Sequence, residues 1–327
     1  MESATEQLAP RPADRTQTLL SELGACWRQL PDKGLFLGLL AGWLAFFQFL
    51  GNSTFGYIPT ASLHAWMLNA YNSPGTDDGH GLLIPVVVAV LFYLKRRTLL
   101  GVQFRAWWPA LLILAAACLL HTLGYVVQQP RLSVMALFLG LYGLMGLVWG
   151  PQWLRACFFP FFLLGFCVPL GSLAESVSFP LRILVSQIVA LLGQGLGINV
   201  AREGTQLINP DGRFQYEVAA ACSGIRSLIA TVAIATIYAF TAFRAPWKRV
   251  LILGSALPLA VVGNVFRMLL IVLAGQWLGQ KAGGYVHESA FWGLLPYVPA
   301  ILGMLLLGRW FGEDDLRPGQ TRPTTQP

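Results

Sequence analysis

The sequence predicts an all-α polytopic membrane protein with about eight transmembrane helices. Its 327 residues are 55% hydrophobic and only 11% charged, whereas a soluble domain carries about 25% charged residues. The mean hydropathy is +0.60. All 15 acidic residues fall outside the long apolar runs, as the cost of burying a carboxylate in hydrocarbon requires. The chain is therefore predicted to lie in a lipid bilayer.

The predicted spans follow from the length that a bilayer imposes. A transmembrane helix needs about 20 mostly apolar residues. Eight segments approach that length: 34–52, 80–95, 107–127, 132–150, 153–170, 222–243, 250–275 and 290–309. Together they form one transmembrane domain over residues 34–310.

The two ends of the chain are predicted to be cytoplasmic. Residues 1–33 are too polar, and too long before the first apolar run, for a cleaved signal peptide. Apolar residues recur there at helical spacing, which predicts a short helix on the membrane surface (Leu20, Leu23, Trp27 and Leu30). Residues 311–327 form a polar tail.

The basic residues set the orientation. With the amino terminus inside, the cytoplasmic segments collect most of the lysines and arginines, as the positive-inside rule requires. The outer segments hold only Arg131, Arg182, Arg202, Arg213 and Lys281. This distribution accounts for the net charge of +7, so no nucleic-acid partner is expected.

An extracytoplasmic connecting region, residues 171–221, precedes the sixth span. Its segment 179–200 is apolar but interrupted by polar residues, and spanning would upset the parity of the topology (Arg182, Gln187 and Gln194). We expect an amphipathic helix on the outer surface there.

A small β-hairpin is predicted between that helix and the sixth span. Pro210-Asp211-Gly212 is a turn signal, because proline presets one dihedral angle and glycine accepts a positive one. Phe214, Tyr216 and Val218 then alternate with polar residues, as in a half-buried strand.

The five cysteines indicate neither a disulfide framework nor a zinc cluster, because their number is odd and no CxxC pair occurs. No metal or other cofactor is expected. Cys118, Cys157 and Cys167 lie in apolar runs and are predicted to be packing residues. Cys222 differs because its neighbours are polar.

Cys222 opens the sixth predicted span in the stretch "ACSGIRSL" (221–228). Unpaired N–H groups and the positive dipole end of a helix stabilise a thiolate, and they bring the pKa of a cysteine below its free value of about 8.5. Gly224 leaves room for an approaching group, and Arg226 lies on the same helical face as Cys222. A buried structural cysteine beside a snorkelling arginine would show the same pattern, so these residues alone leave both readings open.

Arg267, in "GNVFR" (263–267), favours a functional site. Inside a span, an arginine costs at least a few kcal/mol unless it faces a partner or a wet cavity. Asn264 lies on the same face and is predicted to orient the guanidinium. No acidic residue lies in any predicted span to form a salt bridge with Arg267.

His287 precedes the eighth span on the same predicted side of the membrane. A thiol nucleophile, an imidazole that moves protons and a guanidinium that meets developing negative charge form an acyl-transfer set. Cys222, Arg267 and His287 are therefore the candidate catalytic residues, with Arg226 and Asn264 supporting them or binding substrate.

Other readings stay open at this stage. Asp77 and Asp78, in the first outer loop, would suit a lipid-linked glycosyltransferase, and a transporter would need no covalent chemistry. Ser223 could act as a rhomboid-like nucleophile. His287-Glu288 does not continue to HExxH, so a zinc peptidase is disfavoured. His121, in the third span, is predicted to be a packing or hydrogen-bonding residue.

Three motifs in order carry a family resemblance: "ACSGIRSL", "GNVFR" one span later, and "VHESAFWG" (286–293) before the last span. Together with "GHGLLIP" (79–85), they resemble the exosortase/archaeosortase family over roughly residues 35–310. The family has a bacterial and an archaeal branch, and the histidine in the third motif resembles the pattern of the bacterial branch. The resemblance implies that Cys222, Arg267 and His287 are the family's catalytic cysteine, arginine and histidine.

The resemblance also implies a substrate and a place. The family is described as polytopic cysteine enzymes that process exported proteins bearing a C-terminal signal of a short motif, a transmembrane helix and a basic cluster. It implies a multi-pass protein of the bacterial cytoplasmic (inner) membrane, with the active site facing the periplasm. The partners are then such exported proteins, the lipid bilayer and an acceptor molecule not yet identified.

Overall fold

The computed structural model describes residues 12–54, 59–73, 78–170, 172–218 and 225–312. Within these ranges, the side chains of residues 12–20, 172–175, 177, 225–226, 288 and 290 are not described. The chain divides into two compact units, the first comprising Met1–Met67 and Ile84–Val168 and the second Leu68–Leu83 and Pro169–Pro327.

The first unit is built from helices, with α3 crossing into the second unit. In chain order they are α1 (Pro12–Gln29), α2 (Lys33–Leu50), α3 (Leu63–Asn72), α4 (Ile84–Leu94), α5 (Arg96–Leu100), α6 (Ala110–Val126), α7 (Pro130–Trp149) and α8 (Pro151–Phe162), followed by a 3-10 turn, Leu163–Cys167. Trp149, Trp153 and Cys157 are among the side chains of a core at α5, α7 and α8.

Two polar contacts in the first unit bear on the sequence predictions. The predicted amino-terminal helix is present as α1, and its Glu22 accepts hydrogen bonds from Tyr93 (2.7 Å) and Arg96 (2.9 Å). The hydrogen bond from Tyr93, aided by the nearby arginine, lowers the pKa of Glu22. His121 is buried with its Nδ1 2.9 Å from the Ser133 hydroxyl, which confirms its predicted hydrogen-bonding role.

The second unit combines helices with a small sheet. A 3-10 turn, Asp78–Leu82, is followed by α9 (Ser172–Gly195), β1 (Ala201–Glu203), β2 (Gln206–Ile208) and β3 (Gln215–Glu217). Then come α10 (Ile225–Ala242), α11 (Pro246–Leu278), α12 (Gln280–Glu288), α13 (Ala290–Gly293) and α14 (Tyr297–Phe311).

The predicted strand before the sixth span is confirmed. Phe214, Tyr216 and Val218 are buried, whereas Gln215 and its other polar neighbours are exposed. β3 pairs with β2 in an antiparallel hairpin whose turn contains Gly212 at φ 76°. The strand β1, which pairs antiparallel with β2, was not predicted.

An all-α membrane protein with a small sheet is confirmed, but eight crossings are not. Among the described residues, five helices are long and apolar enough to cross a bilayer: Lys33–Leu50, Pro130–Trp149, Ser178–Gly195, Pro246–Leu278 and Phe291–Phe311. Shorter apolar segments are Asp78–Leu94, Ala110–Val126 and Ser227–Ala242. These eight do not include the predicted span 153–170.

Two segments account for this difference. The span predicted over 153–170 is the 12-residue α8, with Pro160 inside it, and then a 3-10 turn. Residues 178–195, predicted to lie on the outer surface, have the length and composition of a span. Length and composition do not decide its depth, so the surface position of this helix stays a prediction.

The long helix α11 has two halves with different neighbours. At 33 residues it is about 50 Å long, well beyond the roughly 30 Å of bilayer hydrocarbon. Its first half packs with α10 and α14 through small and apolar residues such as Ala239, Ile252 and Ala300. Its second half, from about Met268, packs with α9 and the sheet. Arg267 lies where the two halves meet.

Candidate active site

Arg267 is buried at the junction of the two halves of α11. Its side chain is 7% exposed, and its Nη2 donates a 2.8 Å hydrogen bond to the main-chain carbonyl of His287. Among the described residues, its Nε has no hydrogen-bond partner. The Arg267 guanidinium is thus a buried cation with one committed nitrogen and a second nitrogen whose N–H an anionic or carbonyl oxygen would satisfy.

The helix that carries Arg267 is longer than the predicted span. The span predicted over 250–275 is a helix over Pro246–Leu278, so Arg267 lies roughly three turns before its end. Arg267 is one turn beyond Gly263, the level at which α14 begins.

Asn264 connects α11 to α10. Its Nδ2 donates to the hydroxyl of Ser227 at 2.6 Å and to the carbonyl of Ala260 at 2.8 Å, and its side chain is 4% exposed. We predicted that Asn264 orients the guanidinium of Arg267. Its described hydrogen bonds instead fix α10, the helix that follows Cys222 in the chain.

The glycine of "GNVFR" is explained by close packing. A Cβ atom on Gly263 would collide with the main-chain carbonyl of Pro296, immediately before α14. Any larger residue would push α14 away from α11. The motif thus contacts three other helices within about one turn of α11. Gly263 packs against the start of α14, Asn264 is hydrogen-bonded to α10, and Arg267 is hydrogen-bonded to the end of α12.

His287 lies in the last turn of the helix α12. Gly279, with φ at 85°, makes the sharp corner at which α11 ends and α12 begins. The helix α12 packs against α11, and it returns the chain from the tip of α11 to the level of Arg267.

The sheet is joined to the corner between α11 and α12 through Gln280. The Gln215 N–H donates to the Gln280 Oε1 at 2.9 Å, and the Gln280 Nε2 donates to the Gln215 carbonyl at 3.0 Å. Tyr216 donates its hydroxyl to the Gln280 carbonyl at 2.9 Å. Burial raises the pKa of Tyr216, so the phenol stays a donor at neutral pH.

Cys222 lies outside the described residues, three positions before α10 begins, and Ser223 lies outside with it. Arg226 is in the first turn of α10, but its side chain is not described. The chain is described up to Val218, whose N–H donates to the Thr205 carbonyl at 3.0 Å and continues the pairing of the sheet.

Of the acidic pair, only Asp78 is described. It is 3% exposed, and its Oδ1 accepts a 2.8 Å hydrogen bond from the Leu170 N–H. This hydrogen bond ties Asp78 to the main chain just before α9. Asp77 lies outside the described residues.

Two residues of this region were missed from the sequence. Ser227 is an ordinary small residue in an apolar helix, and Gln280 is one polar residue in a polar loop. The one sequence signal for Ser227 is its nearness to the candidate nucleophile, since it lies five residues after Cys222. No sequence signal distinguishes Gln280, because its partners are main-chain atoms remote in the chain.

Comparison with known families gives one match. The sequence model of a family described as transmembrane exosortase matches residues 71–307, which include every candidate residue. Comparison with curated proteins and with solved structures found no match.

Proposed function

Because the chain belongs to the transmembrane exosortase family, we propose that it is a membrane-embedded cysteine peptidase or transpeptidase with Cys222, Arg267 and His287 as its catalytic residues. Membership supports a role in protein sorting generally, since this is a family of cysteine-type proteases and transpeptidases acting on exported proteins with C-terminal signals. The residue roles, the tripartite signal and the periplasmic orientation are our proposals.

The observation that carries the proposal is the state of Arg267. A buried guanidinium whose Nη2 is held by the His287 carbonyl, and whose Nε has no described partner, is a preorganised donor. In a site of low dielectric, such a donor stabilises negative charge more strongly than it would in water. This geometry suits a reaction in which an oxyanion or a thiolate develops nearby.

Chain connectivity supports a place for Cys222 in the same site. Three peptide units separate it from Ile225, so the two Cα atoms are at most about 11 Å apart. Ser227, two residues further on, is hydrogen-bonded to Asn264, one turn from Arg267. The strand β3, which precedes Cys222 in the chain, is hydrogen-bonded to Gln280 of α12.

The proposed reaction begins with attack by the Cys222 thiolate on a peptide carbonyl of the substrate. The C–S bond forms, and the carbonyl oxygen becomes an oxyanion that accepts a hydrogen bond from the Arg267 Nε. Collapse breaks the C–N bond, and the His287 imidazolium delivers its proton to the leaving amine. The products are a thioester on Cys222 and the released C-terminal tail.

The second half of the reaction resolves the thioester. An amine or hydroxyl acceptor, or water, loses its proton to His287 and attacks the thioester carbonyl, which restores the thiolate. Attack by an acceptor is sorting, with an amide product from an amine (transpeptidation) and an ester from a hydroxyl, whereas attack by water is simple proteolysis. The substrate is an exported protein with a short recognition motif, a transmembrane helix and a terminal basic cluster.

The experiment is co-expression of the wild-type enzyme or its Cys222→Ala variant with candidate tail-bearing proteins, followed by mass measurement of the intact candidates. A tail lost with the wild type and retained with Cys222→Ala supports the proposal. Tail loss that is equal in both refutes it. The mass of the processed protein also separates the outcomes, since hydrolysis leaves a free carboxyl group and transpeptidation adds the mass of an acceptor.

A further inference from the structure

The candidate site is assembled from elements that are distant in the chain. Cys222 follows the strand β3, Arg267 lies on α11, and His287 ends α12. For a thiolate and an imidazole to act together, their separation must be held within a fraction of an ångström. The described contacts between β3 and α12 therefore bear on the reaction.

Gln280 completes the edge of the sheet in the way that a fourth strand would. Its side-chain amide both accepts from the Gln215 N–H (2.9 Å) and donates to the Gln215 carbonyl (3.0 Å). Only a carboxamide presents a donor and an acceptor side by side in this manner. The corner at Gly279 aims this side chain at the strand, because Gln280 is the first residue of α12.

Tyr216 adds a second, independent connection at the same place. Two glycines make its slot, since a Cβ on Gly275 or on Gly283 would collide with the Tyr216 ring or hydroxyl. Within that slot, the hydroxyl donates to the Gln280 carbonyl. Side chain and main chain of Gln280 thus hold neighbouring residues of β3.

We infer that Gln280 is a positioning residue that fixes the strand leading to Cys222 against the helix that ends in His287. The inference rests on the proposed function. From Gln280 to His287, α12 is about two rigid turns, and the His287 carbonyl is bonded to Arg267. On the other side, six positions separate Tyr216 from Cys222. The contacts of Gln280 therefore set the position of β3, the strand that leads to Cys222, relative to His287 and Arg267.

The test compares Gln280→Ala with a matched control in the same sheet. Gln206 accepts a side-chain hydrogen bond from Gln215 (3.1 Å) on the sheet surface and has no described contact with α12, so Gln206→Ala removes a similar bond without touching α12. Two quantities are measured on purified protein: kcat and KM for tail removal, and the pH dependence of Cys222 alkylation by iodoacetamide, followed by mass spectrometry of its peptide.

Gln280→Ala is expected to lower kcat by about 10- to 100-fold, the loss that a displacement of about 1 Å causes, with KM near the wild-type value. Cys222 alkylation should slow at neutral pH and shift to higher pH, because the thiolate is then displaced from its positive neighbours. Gln206→Ala should resemble the wild type in both quantities. A protein that is merely destabilised would lose active fraction without moving the alkylation profile.

Tyr216→Phe provides a second variant if Gln280→Ala does not accumulate. It fills the same slot but loses the hydrogen bond to the Gln280 carbonyl, and it should shift kcat and the alkylation profile in the same direction. Unchanged kcat and alkylation in either variant would overturn the inference, as would equal losses in Gln206→Ala. Failure of the proposed function is distinguishable, because the Cys222→Ala variant would then remain active.

Discussion

Substitution of Arg267 by lysine tests the catalytic use of the buried guanidinium. Arginine has several donors in a fixed plane, so its Nη2 bonds the His287 carbonyl while its Nε stays unused among the described residues. Lysine has one ammonium group, which either replaces the bond to that carbonyl or faces the reacting oxygen. Arg267→Lys keeps the charge but is therefore not a conservative change at this site.

The size of the effect follows from the number of donors lost. Removal of one oxyanion donor lowers kcat by about 100- to 1,000-fold, equivalent to about 3–4 kcal/mol. Stability should change less, because the ammonium can still donate to the His287 carbonyl. Loss of the whole bond would cost about 1.5–3 kcal/mol of unfolding free energy, the usual value for a hydrogen bond to a charged group.

The assay needs two quantities from one membrane preparation: the amount of folded enzyme and the rate of substrate tail removal. The matched control is Arg249→Lys at the other end of α11. The Arg249 Nε also donates to a main-chain carbonyl, that of Phe243, at 2.9 Å. The control should keep both abundance and rate.

For Arg267→Lys we expect a normal amount of folded enzyme and a rate of tail removal lowered by about 100- to 1,000-fold. Normal abundance with a near-normal rate would refute the catalytic use of the Nε and leave Arg267 a structural residue. If abundance falls, the rate per folded molecule decides between the two, since a structural role predicts an unchanged rate per molecule.

The remaining predictions use the same preparation. Cys222→Ser should abolish processing and Ser223→Ala should retain most of it, because a serine here has no comparable low-pKa nucleophile; a dead Ser223→Ala enzyme beside an active Cys222→Ala enzyme would favour a serine mechanism. His287→Ala should accumulate normally, because the main-chain carbonyl that holds the guanidinium remains, while the rate falls by about 100- to 10,000-fold; an unchanged rate would remove the imidazole from the mechanism. Reporter fusions after Arg249 should report cytoplasm and fusions after Lys281 periplasm, and reversal at both positions would contradict an outward-facing site.

The helices were largely predictable because hydrophobic runs of membrane length have few alternative structures. The strand before the sixth span was equally predictable, since Phe214, Tyr216 and Val218 alternate with polar neighbours at the strand period. The end of the helix within the segment 153–170 was not predictable, because α8 ends at Phe162 in a stretch that stays apolar into the following 3-10 turn. Residues 178–195 show the converse limit, since apolar length alone does not fix depth.

The candidate site was predictable only where it uses side chains that are unusual in an apolar segment. An arginine such as Arg267 in an apolar helix is conspicuous because of its cost. Its actual partner, the His287 carbonyl, carries no sequence signal, since every residue has a carbonyl. The same holds for Gln280, whose hydrogen bonds run to main-chain atoms of β3. Asn264 is predicted to orient Arg267, and that role stays a prediction, since its described side-chain hydrogen bonds run to Ser227 in another helix and to the Ala260 carbonyl.

The central claim is that Cys222 forms a covalent bond to the substrate. The most direct measurement is acid quenching of the enzyme during turnover of a tail-bearing substrate, followed by mass spectrometry of the peptide that contains Cys222. If the thioester forms, the mass of this peptide increases by that of the substrate fragment without its tail. That adduct should be released by hydroxylamine, as a thioester is, and be absent from Cys222→Ala. Continued tail removal by Cys222→Ala, with no adduct on Cys222 in the wild type, would contradict the account.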